Sequence, residues 1–111
     1  MRTQSTEELK QKIDGHERFT LINVLPQSEF ESTMIPGAHS IPLETLNFAT
    51  QVEQLAGDRD QPVVLYCASE MCPASTTAAQ QLEKCGFDDV SVYKGGAKAW
   101  QESEAQEPAH A

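Results

Sequence analysis

The sequence predicts an α/β fold on a largely parallel sheet, and three features carry that expectation. Short apolar or β-branched runs alternate with stretches of helical period, the order that produces crossover-connected parallel strands. Glycine or proline stands at most of the joins, at Gly15, Gly57, Pro62, Gly86 and the pair Gly95–Gly96. Finally, 111 residues at 39% hydrophobic and 23% charged content suffice for one core but not for two. One domain is therefore expected over residues 1–102.

Taken in order, Ser5 and Glu8 form a capping-box pattern that opens a polar helix running to about Asp14, with Leu9 and Ile13 as its apolar face. Phe19 to Leu25 is rich in large and β-branched apolar residues and reads as a buried strand. Gln27 to Ser32 reads as a helical turn anchored by Phe30, and Met34 to Ala38 as a loop before a short strand at Ser40–Ile41. From Leu43 to Ala56, the spacing of Leu46, Ala49, Val52 and Leu55 predicts a helix that Gly57 stops. Gly57 to Asp60 is a charged surface loop.

Pro62 to Tyr66 is the second buried strand, and Pro73 opens a helix with Ala74, Ala78, Ala79, Leu82 and Cys85 on one stripe. Val90 to Tyr93 alternates as the last strand, and Ala97 to Trp100 is a short closing helix. From Gln101 onward the acidic, apolar-poor composition predicts fraying, with 103–111 as a disordered tail.

The charge balance narrows the partners. Eight Lys and Arg against seventeen Asp and Glu give a net charge of -9, which disfavours nucleic acid and anionic membrane. No apolar run approaches 18 residues, and the N-terminus lacks a signal-peptide core, so a cytoplasmic protein is expected. Three cysteines in a reducing compartment argue against a disulfide framework.

Chemistry concentrates after the second buried strand. Cys67 follows that strand, and Ala68, Ser69, Glu70, Met71 and Cys72 then lead into the helix at Pro73. In parallel sheets, sites form beyond the C-terminal strand ends. An ordinary thiol, with a pKa of about 8.5, is only roughly 3% ionised at neutral pH. A helix N-terminus, or a nest of loop amides, raises that fraction. Glu70 acts in the opposite sense.

Cys67 is thus the candidate nucleophile, and Cys72 stands open between packing and a second reactive thiol. Cys85 reads as inert packing on its helix stripe. No metal or cofactor is expected, because His16, His39 and His110 are scattered and no second cysteine pair exists. A phosphatase loop would need an Arg six residues after the cysteine, where Pro73 stands.

Between Ser5 and Trp100 the chain resembles single-domain rhodanese-like (sulfurtransferase) proteins. The matching segments are Leu21-Ile22-Asn23-Val24 with Glu29-Phe30, Ile35-Pro36-Gly37-Ala38 with Ile41-Pro42, and Val64-Leu65-Tyr66-Cys67. Ala78-Ala79 with Leu82, Gly86-Phe87 with Val90, and Gly95-Gly96 with Ala99-Trp100 complete the series. The resemblance implies a rhodanese-like fold, a central sheet flanked by helices on both faces.

It also implies an activity. Cys67 would take sulfane sulfur from a small donor or a persulfidated protein and pass it from a persulfide to a thiol or other thiophilic acceptor. The amides of Ala68 to Cys72 would cradle the charge. The family's loop is usually about two residues shorter and often carries glycine and Arg; here it holds Glu70 and no cation. Asn23-Val24-Leu25 replaces the family's Asp-Val-Arg, and Met34 its usual His. Lys94 is then the expected anion contact, and Cys72 a candidate resolving thiol. A catalytically weak binding or redox-sensing module using Cys67 and Cys72 is the alternative.

Overall fold

Five strands and five helices alternate along residues 1–106, the part of the chain that the computed structural model describes. The strands are β1 (Arg2–Gln4), β2 (Thr20–Asn23), β3 (His39–Ser40), β4 (Val63–Tyr66) and β5 (Val90–Tyr93). They form one sheet in the order β1-β5-β4-β2-β3, and every pairing is parallel. The helices are α1 (Thr6–Asp14), α2 (Phe30–Thr33, after a 3-10 turn at Gln27–Glu29), α3 (Phe48–Ala56), α4 (Ala74–Lys84) and α5 (Gly96–Gln106). Among the described residues no helix is long and apolar enough to cross a membrane.

Strand side chains alternate in direction, so β4 feeds two cores at once. Val63, Leu65 and then Cys67 face a cluster with Phe48, Val52 and Ala56 of α3 and Ala78, Ala79 and Leu82 of α4. Val64 and Tyr66 face the other, with Leu9 of α1 and Ala97 and Trp100 of α5. The helices therefore cover both faces, as the resemblance implies. Cys67 leaves the middle strand of the sheet with its side chain committed to the α3–α4 side.

Local signals hold well where they rest on capping. Ser5 accepts from the Glu8 amide at 3.1 Å while the Ser5 amide donates to Glu8 Oε1 at 2.9 Å, a complete capping box. The Ser5 hydrogen bonds hold the Glu8 carboxyl below its usual range. Gly86, at φ 93°, ends α4 in the left-handed conformation that favours glycine. Pro73 precedes α4 as its N-cap, one residue before the position expected from its fixed φ.

Other expectations shift. β1 was no part of the sequence reading: it is a three-residue edge strand with little apolar content, held by pairing Arg2 with Ser91 and Gln4 with Tyr93. In α3 the buried residues are Phe48, Val52 and Ala56, four apart, while Leu46 is 82% exposed ahead of the helix and Leu55 is exposed. Asn47, at φ 59°, turns the chain just before α3 and resets the phase of its stripe. Phe30 is only half-buried and belongs to neither core; Ile35, fully buried, supplies the anchor for that segment. β5 is buried on both faces instead of alternating, because β1 and β4 flank it and helices cover it.

Past Gln101, where fraying was expected, the chain is helical. α5 continues to Gln106, tied down by buried Trp100, by Gln101 donating to the Ser32 carbonyl at 2.7 Å, and by Lys10. Lys10 sits 5.3 Å from the Trp100 ring and 3.6 Å from Glu104. The rest of the expected tail, 107–111, lies outside the described residues.

Candidate active site

The segment from Cys67 to Ser75 is fixed by two helix N-termini arriving from opposite faces of the sheet. From α5, the amides of Ala97 and Lys98 donate to the carbonyls of Cys67 and Ala68, both at 2.9 Å. This contact requires glycine at position 96. A Cβ on Gly96 would lie 2.5 Å from the Cys67 oxygen and 2.8 Å from the Ser69 nitrogen, and its φ is 67°. The Gly95–Gly96 pair, visible in the sequence as a turn, thus also lets the helix approach the loop backbone.

From α4 comes the environment of the sulfur. Cys67 Sγ lies 3.4 Å from Ser75 Oγ, and its thiol donates to the Cys72 carbonyl at 3.3 Å, with the Ser69 carbonyl more distant at 4.0 Å. Cys67 is only 1% exposed. Burial is the main cause that raises its pKa; the adjoining Cys72 thiol adds to the rise, and the Ser75 hydroxyl and amide oppose it. Glu70, expected to repel the charge, is exposed and is no part of that balance.

The predicted site residues fall into three groups. Cys67 and Cys72 are together, with Cys72 half-buried against the α3–α4 core. Of the loop amides expected to form a cradle, Met71 donates to Ser69 Oγ at 3.3 Å and Cys72 to the Ser69 carbonyl at 3.0 Å. Those two amides stabilise the turn itself, and the amide facing the sulfur belongs to Ser75. Ser69, Glu70 and Met71 line one wall of a cleft of about 270 Å³, with Lys98 and Glu102 of α5 opposite.

Lys94 is exposed at the end of β5 and is not among the residues lining this cleft; its cation is Lys98. The sequence placed Lys98 on a helix but gave no sign that the helix begins against the loop. Ser75 was also missed. Its signal was the spacing of eight from Cys67, which places it in the first turn of the helix after Pro73 and there in contact with the sulfur.

Cys85 is a correction: it is exposed at the C-cap of α4, not packed, and its carbonyl accepts from Arg59. The stripe ends one residue too early to bury it. Among the described residues no cluster of His, Cys, Asp and Glu could hold a metal ion; His110 lies outside them.

Comparisons with known proteins bear on the family and the fold. The model of the rhodanese-like domain matches residues 5–103. The thiosulfate sulfurtransferase GlpE of Shewanella oneidensis is 34% identical over 86 residues, covering 77% of this chain and 78% of its own. A Mycobacterium tuberculosis protein named "Probable adenylyltransferase/sulfurtransferase MoeZ" is 33% identical over 93 residues, 84% of this chain, which spans only 23% of that protein. In structure, the rhodanese-like domain of Anabaena Alr3790 superposes with a TM-score of 0.77 at 24% identity, covering 100% of this chain and 87% of that one. A parallel five-stranded sheet, helices on both faces and a cysteine leaving its middle strand accompany these matches. The chain belongs to the rhodanese-like domain family.

Proposed function

We propose that the chain is a sulfurtransferase that carries sulfane sulfur as a persulfide on Cys67 and hands it to a thiol or another thiophilic acceptor. One observation carries this reading: Cys67 Sγ stands at the end of the middle strand, against the Ser75 hydroxyl and amide in the first turn of α4. A thiolate formed there meets two donors and the positive end of an eleven-residue helix. It attacks the sulfane sulfur of the donor, the donor's sulfur leaves with the bonding pair, and the persulfide then gives up its outer sulfur in a second displacement. The covalent intermediate divides one transfer into two easier steps.

The cleft is lined by the loop residues Ser69, Glu70 and Met71 and not by Cys67 itself, and we take it as the donor's approach to the loop. Lys98 shares the lining with Glu70 and Glu102, one cation with two carboxylates, so the lining is net negative. Such a lining disfavours a free dianion like thiosulfate and suits a singly charged persulfide or a persulfidated protein. Access requires the loop at 68–72 to move off the buried sulfur; Met71, 85% exposed, marks its outer edge.

A second reading, a catalytically weak binding or redox-sensing module, is favoured by the raised pKa of Cys67 and by the absence of arginine from its loop. Intact-mass measurement separates the two. After exposure to a polysulfide, the enzyme reading expects a gain of about 32 Da, one sulfur, which Cys67→Ser abolishes. Thiosulfate should give less of the same adduct. No adduct from either donor would leave the module reading standing.

A further inference from the structure

The second thiol of the loop has no part in a simple two-displacement cycle, yet it is held beside the first. Cys72 closes the Ser69–Cys72 turn, its carbonyl accepts from the Cys67 thiol at 3.3 Å, and its side chain packs on the core that receives Cys67. The turn folds the chain between the two cysteines back on itself. Cys72 is half-buried where Cys67 is fully buried, so it lies on the solvent side of the pair.

We propose that Cys67 and Cys72 act as a resolving pair, which makes the protein a dithiol-dependent reductase of sulfane sulfur. The proposal rests on the reading of Cys67 as a persulfide carrier. The Cys72 thiolate attacks Sγ of Cys67 in the persulfide. A bond forms between the two cysteine sulfurs as the bond from Cys67 Sγ to the outer sulfur breaks. The outer sulfur leaves with the bonding pair as hydrosulfide and takes up the proton lost by Cys72.

Electrons balance within the step: the two cysteine sulfurs give up two electrons in becoming a disulfide, and the sulfane sulfur gains two in becoming sulfide. A dithiol reductant then returns the pair to thiols by exchange, itself becoming a disulfide. Each turnover therefore consumes one sulfane sulfur and one dithiol and releases one sulfide.

The test uses the full chain, treated with one equivalent of polysulfide in the absence of reductant and followed by intact mass and by sulfide release. The wild type should pass from the adduct of about 32 Da to a species about 2 Da below the starting mass, with roughly one sulfide released per chain. Peptide mapping should place the disulfide at Cys67–Cys72. Cys72→Ser and, separately, Cys72→Ala should hold the adduct on Cys67 and lower sulfide release at least tenfold, with thermal melting confirming that each variant is folded. Dithiothreitol should restore wild-type thiols and permit a second round.

Equal, stable adducts in wild type and both variants would overturn the resolving pair while leaving Cys67 as carrier. A persulfide found on Cys72, with no loss of mass, would overturn it too, since the outer sulfur and not the inner one was then attacked. Absence of any adduct on Cys67 would overturn the carrier reading and this proposal with it.

Discussion

Two strand ends stand side by side at the C-terminal edge of the sheet, after β2 and after β4, and they use their polar groups differently. At the end of β2, Asn23 donates from Nδ2 to Thr33 Oγ1 at 2.9 Å and to the Tyr66 hydroxyl at 3.2 Å, and its Oδ1 accepts from the Leu25 amide at 2.9 Å. The Tyr66 hydroxyl in turn donates to the Thr33 carbonyl at 2.9 Å and accepts from the Ile35 amide at 3.0 Å. The contacts there are N–H and O–H bonds inside the protein, most of them between 2.9 and 3.2 Å, with a longer one of 3.4 Å from Asn23 to the Thr33 carbonyl. At the end of β4 the backbone is equally well held, by α5, but the sulfur has only the weak hydrogen bonds of a thiol, at 3.3 to 4.0 Å.

The difference separates structure from chemistry. Breaking the β2 network strands buried donors and costs stability, because an unpaired buried polar group loses its whole solvation energy. Changing the sulfur's state at β4 exchanges weak thiol contacts for others and strands no buried N–H or O–H donor. A site that must pass through thiol, persulfide and disulfide needs that tolerance.

The contrast can be broken most severely at Gly96. Gly96→Ala forces a Cβ into the Cys67 carbonyl at a positive φ, which should cost on the order of 2–4 kcal/mol and displace the loop as well. Chemical denaturation should show the loss, and persulfide formation in the folded fraction should fall with it. Unchanged stability would mean that α5 does not fix the β4 end.

Tyr66→Phe is the corresponding cut at β2. It leaves the buried Ile35 amide without its partner and should cost about 1–3 kcal/mol while the folded protein still forms the Cys67 adduct. A variant that melts lower yet reacts at the wild-type rate keeps the two ends distinct. One that loses reactivity in proportion merges them.

The mildest change, Ser75→Ala, touches only the sulfur. Stability should move little, while the thiolate fraction of Cys67 at neutral pH should fall roughly three- to tenfold. Iodoacetamide labelling across pH reads this directly. In the wild type, burial holds Cys67 protonated, so its labelling should keep rising past about pH 9.5, where an ordinary thiol of pKa about 8.5 is nearly all ionised and levels off. The sign for stability follows: a folded pKa above the unfolded one gives a contribution that is full below the unfolded pKa and is lost as pH rises through the folded value. In Ser75→Ala the labelling curve should shift further toward alkaline pH.

Much of this arrangement was legible in the chain itself. Ser5, Glu8, Gly15 and Gly86 set helix ends because capping is decided by residues within a few positions of one another. Runs such as Val63 to Tyr66 declare buried strands by composition, and the alternation of strands and helices leaves a parallel sheet as the economical solution. Cys67 was recognisable because a cysteine between such a strand and a helix start needs no knowledge of distant residues.

What the sequence left undecided depends on contacts across the fold. β1 carries little apolar signal and exists because β5 offers it an edge; α3 takes its phase from Asn47 and from the face it must cover. Cys85 falls just beyond the buried arc of α4. Whether Glu70, Lys94 or Lys98 meets the thiol, and whether Ser75 does, depends on how α4 and α5 converge from opposite faces on one loop. A sequence specifies its short-range hydrogen bonds residue by residue, and so it determined the strand, the cysteine and the helix. The surroundings of the sulfur are set by side chains and amides brought together from distant parts of the chain, and only the tertiary structure decided them.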